Sequence, residues 1–455
     1  MAWFDFYIQP GGDNSNAGTT TSNTAAVSTT NGAWDTTTNR FTAASGTPFS
    51  GAAVGDFAAI MLDGAAGFTS LNQITAVDPG GTYIDVTATG RVGIAPATGA
   101  TGRTCKIGGA WADFGIGTSG ANFGTSSTNA VPIRINIKAA TYANTTSSRT
   151  FAHIGSASAP VWFRGYNTTP GDLENDYTNA PPLVTFTTGV LNTNGAYYRI
   201  SNLSVLSTAA TGAAWSWGGT QGIADRIRAE NQNAASGANA FTSGGGGITM
   251  VVTNSWFKAT TAANQVCTVT STAAYSGCVF DGGTSAITSN AATVQLLNCV
   301  FINQTTRSLS LSTAALYCYG CSFVGPFSDS AIRWATTPGT MSYVLNCLFS
   351  GCARYDIEPV SGYTGVLAVA NNASYAATLG HLPSTDFNDF HFVQEPADPF
   401  TNGATDPTIK KTALAYLAGI GNRFENVSWR SYRSVGAVEP QPSAGGSSGG
   451  YIIGA

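Results

Sequence analysis

The sequence is short of charge. Asp, Glu, Lys and Arg make up only 10% of its 455 residues, against about 25% in ordinary globular chains. Its 20 basic and 24 acidic residues leave a formal net charge of −4, so the electrostatic footprint of a nucleic-acid binder is missing. No stretch approaches the roughly 18 consecutive apolar residues of a membrane span. The opening residues, Met1-Ala-Trp-Phe-Asp-Phe-Tyr7, lack the basic-then-apolar order of a secretory signal, and folding in a cytoplasm is expected. Histidine is scarce too. His153, His381 and His391 are scattered, and Cys318-x-x-Cys321 has no second pair to complete a tetrahedral site, so neither a metal nor another cofactor is expected.

What the chain does have is glycine and large rings: 54 Gly, 23 Phe, 17 Tyr and 9 Trp. That many aromatics argues against disorder, because disordered chains lack such groups. Many small residues with little charge point instead to a β-rich assembly.

A repeat decides the fold class. From about residue 200 a short pattern returns: Asn or Gly, a small residue, any residue, then Phe. It occurs as Asn254–Phe257, Gly277–Phe280, Asn298–Phe301, Gly320–Phe323 and Asn346–Phe349, with a degenerate copy at Asn202–Val205 and a later start at Asn371. Successive second positions, Ser255, Cys278, Cys299, Cys321 and Cys347, are 23, 21, 22 and 26 residues apart. Three short strands at ~3.3 Å per residue plus their turns use up one such period. Self-similarity at this spacing marks a solenoid. The reading is all-β: a right-handed parallel β-helix with a small N-terminal β module and a C-terminal cap.

The pattern also orients side chains. Residues two apart on a strand share a face, so stacked coils place Cys278, Cys299, Cys321 and Cys347 in one interior ladder. Phe257, Phe280, Phe301, Phe323 and Phe349 form a second ladder beside it. Free Cys packs as a small hydrophobe, and thiols in a cytoplasm stay reduced, so these cysteines are read as core. The leading Asn residues suit the turn, since Asn tolerates left-handed backbone. Further strands are expected near Ile287, Leu309, Ile332 and Ile357.

Residues 1–52 read as an N-terminal arm whose Trp3, Phe4, Phe6, Tyr7 and Trp34 would order against a partner. Residues 53–118 read as the small β module and 119–379 as the β-helix, beginning at the alternating Pro132–Lys138 segment. Residues 380–440 read as a cap over the open end, with a short helix within Ile409–Ile420. Residues 441–455 are a Gly/Ser tail.

Three segments carry a resemblance: Val131–Tyr142 (with RINIKAATY), Val161–Thr169 (opening VWFRGYNTTPGD) and the closing DPF…GIG…VGAV of Asp398–Val438. With Gly55–Trp111 they look like a family of right-handed β-helix proteins of tailed bacteriophages, over about two-thirds of the chain. Members are virion structural proteins, whether head decorations, fibres or tailspikes, and are commonly homotrimers. The resemblance implies a virion protein made in the host cytoplasm.

Catalysis has few candidates. Glycoside hydrolysis needs two carboxylates about 5–10 Å apart. Those on the coils are Asp225 with Glu230, Asp281, Asp329, and Asp356 with Glu358, the last two expected on one outer face. No acid recurs at one phase of consecutive coils, so each is read as a solvated surface group and the chain as non-enzymatic. The leading expectation is a trimeric capsid decoration or cement protein whose main partner is the major capsid protein. The alternative is a tailspike or fibre that binds, or also cleaves, host surface polysaccharide, with exposed Trp215 and Trp217 stacking on sugars. A bacterial surface adhesive solenoid is a third reading.

Overall fold

The computed structural model describes residues 3–413 apart from 15, 64–69, 88–100, 113–131, 145–147, 152–154, 175–178, 236, 245–249, 261–264, 291–292, 340, 376, 384–388, 391, 403–405 and 410–412. Of the helix expected within Ile409–Ile420 only Ile409, which is in a strand, and Ala413 are described; the Gly/Ser tail, His153 and His391 lie outside the described residues.

Short parallel strands stack in register along three faces of a β-helix. In each coil the chain runs along a first face (for example Val294–Leu297), turns onto a second (Val300–Ile302), and crosses to a third (Arg307–Leu311). The first two faces share one 21-stranded sheet, and the third is a separate sheet of nine strands. The expected strands at Ile287, Leu309, Ile332 and Ile357 are neighbours on that third face.

The corner between the first and second faces explains the recurrent Asn or Gly. Asn202, Asn254, Asn298, Asn346 and Asn371 have φ between 49° and 57°, and Gly277 and Gly320 have φ of 63°. A left-handed residue at the same point of each coil reverses the pleat, and Asn and Gly adopt it at least cost. Between coils the Asn371 amide donates to Asn346 Oδ1 at 2.8 Å.

Inside, the Phe side chains form one continuous stack. Ring centroids from Phe257 through Phe280, Phe301 and Phe323 to Phe349 are 5.4, 5.0, 4.7 and 4.8 Å apart. Those distances match the ~4.8 Å separation of neighbouring strands, so each ring rests on the one below. Cys278, Cys299, Cys321 and Cys347 are fully buried beside them, and burial pushes the Cys278 and Cys299 thiols up. All eight cysteines are free.

Six antiparallel strands close a small barrel ahead of the solenoid: Ala25–Asp35, Arg40–Thr42, Phe57–Leu62, Ser70–Val77, Tyr83–Val86 and Arg103–Gly108. Its core includes Trp34, Phe41, Ile60, Ile74 and Ile84. The first strand, Phe4–Ile8, is not a free arm. It pairs in parallel with Ile133–Lys138 and extends the leading edge of the solenoid, which would otherwise present unpaired backbone.

At the other end, Asp389–Phe390 and Val393–Gln394 continue the coils. A hairpin follows (Phe400–Asn402 with Asp406–Ile409). Phe400 and Ala413 pack on an apolar column outside the second face: Trp256, Val279, Val300, Ile302, Val324, Leu348 and Ala373. The closing segment thus covers a flank as well as adding a coil.

Candidate polysaccharide groove

With the interior nearly constant from coil to coil, functional differences sit on the outward side chains. On the third face these form an unbroken polar column. Register places Thr150, Asn192, Ser216, Thr242, Thr268, Thr288, Ser310, Arg333 and Glu358 one above another. Inward neighbours such as Leu309, Leu311, Ile332 and Trp334 are buried, so alternation along each strand aims the polar set at solvent. A column of hydroxyls and amides offers donors and acceptors at every coil.

At its C-terminal end the column becomes charged. Asp329, at the turn into Ile332–Trp334, lies 2.6 Å from Arg307 Nη2, 2.9 Å from Arg333 Nη1 and 3.7 Å from Arg354 Nε. Glu358 accepts from Arg354 Nη2 at 2.9 Å and from Ser330 Oγ at 2.6 Å, with Arg333 Nε at 3.9 Å. Three guanidiniums therefore hold two nearly buried carboxylates, and burial lowers the Arg307 guanidinium. Arg354 touches Asp329 at 3.7 Å and Glu358 at 2.9 Å through nitrogens that bond geometry sets ~2.3 Å apart. The carboxylates are thus at most about 9 Å apart, inside the outer limit of ~9.5 Å for glycosidase pairs. Arg307, Arg333, Trp334, Glu358, Pro359 and Ser361 help line a cleft of about 550 Å³.

The expectation that each of these acids is a solvated surface group is corrected here, since Asp329, Asp356 and Glu358 are buried. Asp329 and Glu358 sit at different phases of successive coils, and long arginine side chains bridge the offset. Asp356 and Glu358 do not share an outer face. Asp356 is fully buried, its Oδ2 2.8 Å from His381 Nδ1, while His381 Nε2 lies 2.9 Å from Asp389 Oδ2. Burial depresses this imidazole, but the bonds to the two carboxylates outweigh it and hold the ring above its ordinary value. His381 also meets Phe349 at 5.7 Å and Phe392 at 4.4 Å, ending the aromatic stack. Both ring nitrogens are spent on structure.

The remaining acids serve the scaffold. Asp225 binds Arg226 at 2.8 Å and accepts from Thr253 and Asn254. Glu230, Lys258 and Asp281 occupy one register position on three coils, acid, base and acid. Burial raises Asp281 although Asn303 donates to it at 2.8 Å.

Trp215 and Trp217 are not exposed. Both point inward, at 0% and 1% accessibility, because Trp215 aligns with the interior positions Leu191 and Phe241, and Trp217 with the buried Thr193 and Ser243. Trp215 Nε1 donates to Thr193 Oγ1 at 2.9 Å. Of the aromatics expected to meet a partner, Phe6 is buried and stacks on Trp111 at 5.3 Å, and Phe4 packs edge-on to Phe57. Trp34 lies in the barrel core, Tyr7 is half-buried, and Trp3 stands edge-on to Trp162 at 5.7 Å.

No family model matches the chain, and no curated protein matches it. Among solved structures it aligns with a mutant of the PL6 family alginate lyase AlyGC at 10% identity, covering 69% of this chain and 57% of that one with a TM-score of 0.31. The tailspike protein gp49 from Pseudomonas phage LKA1 aligns at 12% identity, over 83% of this chain and 64% of that one, with a TM-score of 0.27. A third is the tailspike protein gp49 from Acinetobacter baumannii bacteriophage Fri1, a capsular polysaccharide depolymerase. It aligns at 11% identity over 82% and 74% of the two chains, with a TM-score of 0.30. The chain spans less than two-thirds of the length of the first two. The expectation of a protein without enzymatic activity is withdrawn, since its ground, that every acid on the coils is a solvated surface group, fails at Asp329 and Glu358. No helix among the described residues is long and apolar enough to cross a membrane.

Proposed function

We propose that this chain is a tailspike-like virion protein of a tailed phage that binds an acidic surface polysaccharide along its third face and hydrolyses it at Asp329 and Glu358. One observation carries the reading: a polar column spanning nine strands that ends in a carboxylate pair held by three arginines. The phage setting rests on the resemblance of the Val131–Tyr142, Val161–Thr169 and Asp398–Val438 segments. The capsid-decoration reading leaned on a free aromatic arm, and most of those aromatics pack within the chain itself.

The chemistry follows from the cluster. Arg333 and Arg354 are its most exposed members, so an incoming uronate or other acidic sugar meets them first. Guanidiniums recognise carboxylates through paired N–H donors. As they turn to the sugar, Asp329 and Glu358 lose part of their ion pairing and face the glycosidic bond. One then protonates the leaving oxygen while the other activates water or attacks the anomeric carbon.

Incubating the full chain with acidic polysaccharides from candidate host envelopes tests this. New reducing ends without unsaturated uronate absorbance are expected. Unsaturated products would replace hydrolysis by elimination, and neither retention nor cleavage would remove the reading. Mass spectrometry of purified particles checks the virion assignment, which absence from the particle would overturn.

A further inference from the structure

The first face changes character half-way along. Its outer columns begin with Asp5, Arg134, Trp162 and Arg199, and with Asn136, Arg164 and Asp225. These are knitted together: Arg134 binds Asp5 at 2.6 Å, Arg164 binds Glu174 at 2.7 Å, and Arg134, Arg164 and Arg199 surround the Trp162 ring.

From Met250 onward the same columns hold no charge. One runs Val251, Ala274, Gln295, Tyr317, Tyr343, Ala368, and the other Thr253, Ser276, Leu297, Tyr319, Leu345, Ala370. None of these twelve residues is buried. Leu297 and Tyr319 are 43% and 42% exposed, and Met341 and Val366 extend the patch along one edge. In the same coils the apolar column outside the second face is covered by Phe400 and Ala413. Among the described residues nothing covers the first face.

We infer that this half of the first face is the contact surface for a second copy of the chain. Charge decides the occupant. Copies arranged around an axis parallel to the solenoid bring the same face of each to the same level, so single-sign charges there would meet their own kind. An uncharged strip over six coils avoids that repulsion, whereas the arginine-rich half of this face would not. An acidic polysaccharide is the poorer fit, because the strip has no cation to meet it while the third face ends in three arginines. Tyrosine and leucine gain most from losing water against a protein surface.

Sedimentation velocity of the full chain at micromolar concentration tests the inference, with Leu297→Arg combined with Tyr319→Arg. The wild type is expected to sediment as a closed oligomer. The variant should be monomeric with an unchanged far-UV circular dichroism spectrum, its association midpoint moved at least about 100-fold higher by unpaired buried charge. The milder pair Leu297→Ser and Tyr319→Ser should shift the midpoint in the same direction and guards against misfolding. A monomeric wild type, or charged variants that associate as the wild type does, overturns it. So does a monomeric wild type whose polysaccharide retention falls with these tyrosine and leucine changes. Cleavage at the third face is read separately, so its failure leaves this result standing.

Discussion

The first and third faces of the same coils share one interior and differ completely outside. Between Val294 and Glu358 both bury alternate aliphatic, thiol or aromatic side chains in one core. Outward, the first face shows Leu297, Tyr317, Tyr319 and Leu345, and the third shows Ser310, Arg333 and Glu358. A solenoid's fold is set by what each coil repeats inside. Its function is written in what the coils do not repeat, because the outward residues of these two faces lie outside the shared core.

The largest effect should come from breaking what the faces share. Phe301 sits between Phe280 and Phe323 with no exposed surface, and Phe301→Ala is expected to cost about 3–5 kcal/mol. Urea unfolding should show an earlier midpoint, and hydrogen exchange should locate the loss in the coils around it.

Asp329→Asn or Glu358→Gln should alter the third face alone. Cleavage should fall by about 10²-fold or more while sedimentation is unchanged. Retained cleavage in both variants would sever the carboxylate pair from the chemistry.

Arg333→Ala and Arg354→Ala sharpen the contrast further. Polysaccharide binding should weaken and become less sensitive to salt, since exposed charge contacts are screened. The same binding assay over increasing ionic strength reads both.

A smaller effect is expected at the last coil. His381 is held above its ordinary value between Asp356 and Asp389, with Cys352 beside Asp356. A folded value raised above ~6.5 means its stabilisation is complete below that pH and is lost as pH rises through the folded value. Thermal melts should therefore weaken from pH 6 towards alkaline pH, and His381→Gln should flatten the dependence. The smallest change is at a corner: Asn298→Ala, at φ 51°, should cost about 1 kcal/mol in urea unfolding, and Asn298→Gly much less.

The coil period, the Asn corners and the Cys and Phe ladders were legible in the sequence because each follows from alternation within four residues and a recurrence every two dozen. Trp215 and Trp217 were misjudged because alternation shows that they share a face without saying which one. The N-terminal aromatics looked free because their partners, Trp111, Phe57 and Trp162, are far along the chain. Asp356 and Glu358 looked alike until His381, one coil later, claimed the first.

The sequence by itself determined the solenoid, since a repeated local pattern stacked on itself needs no distant information. Only the tertiary structure decided where function could sit. Asp329 and Glu358 converge because arginines from three coils reach across a phase difference that no spacing records. Among the described residues the closing segment, through Phe400 and Ala413, folds onto the second face and leaves half of the first face uncovered. Both are contacts between coils and across faces, and such contacts depend on three-dimensional placement that the repeat leaves open.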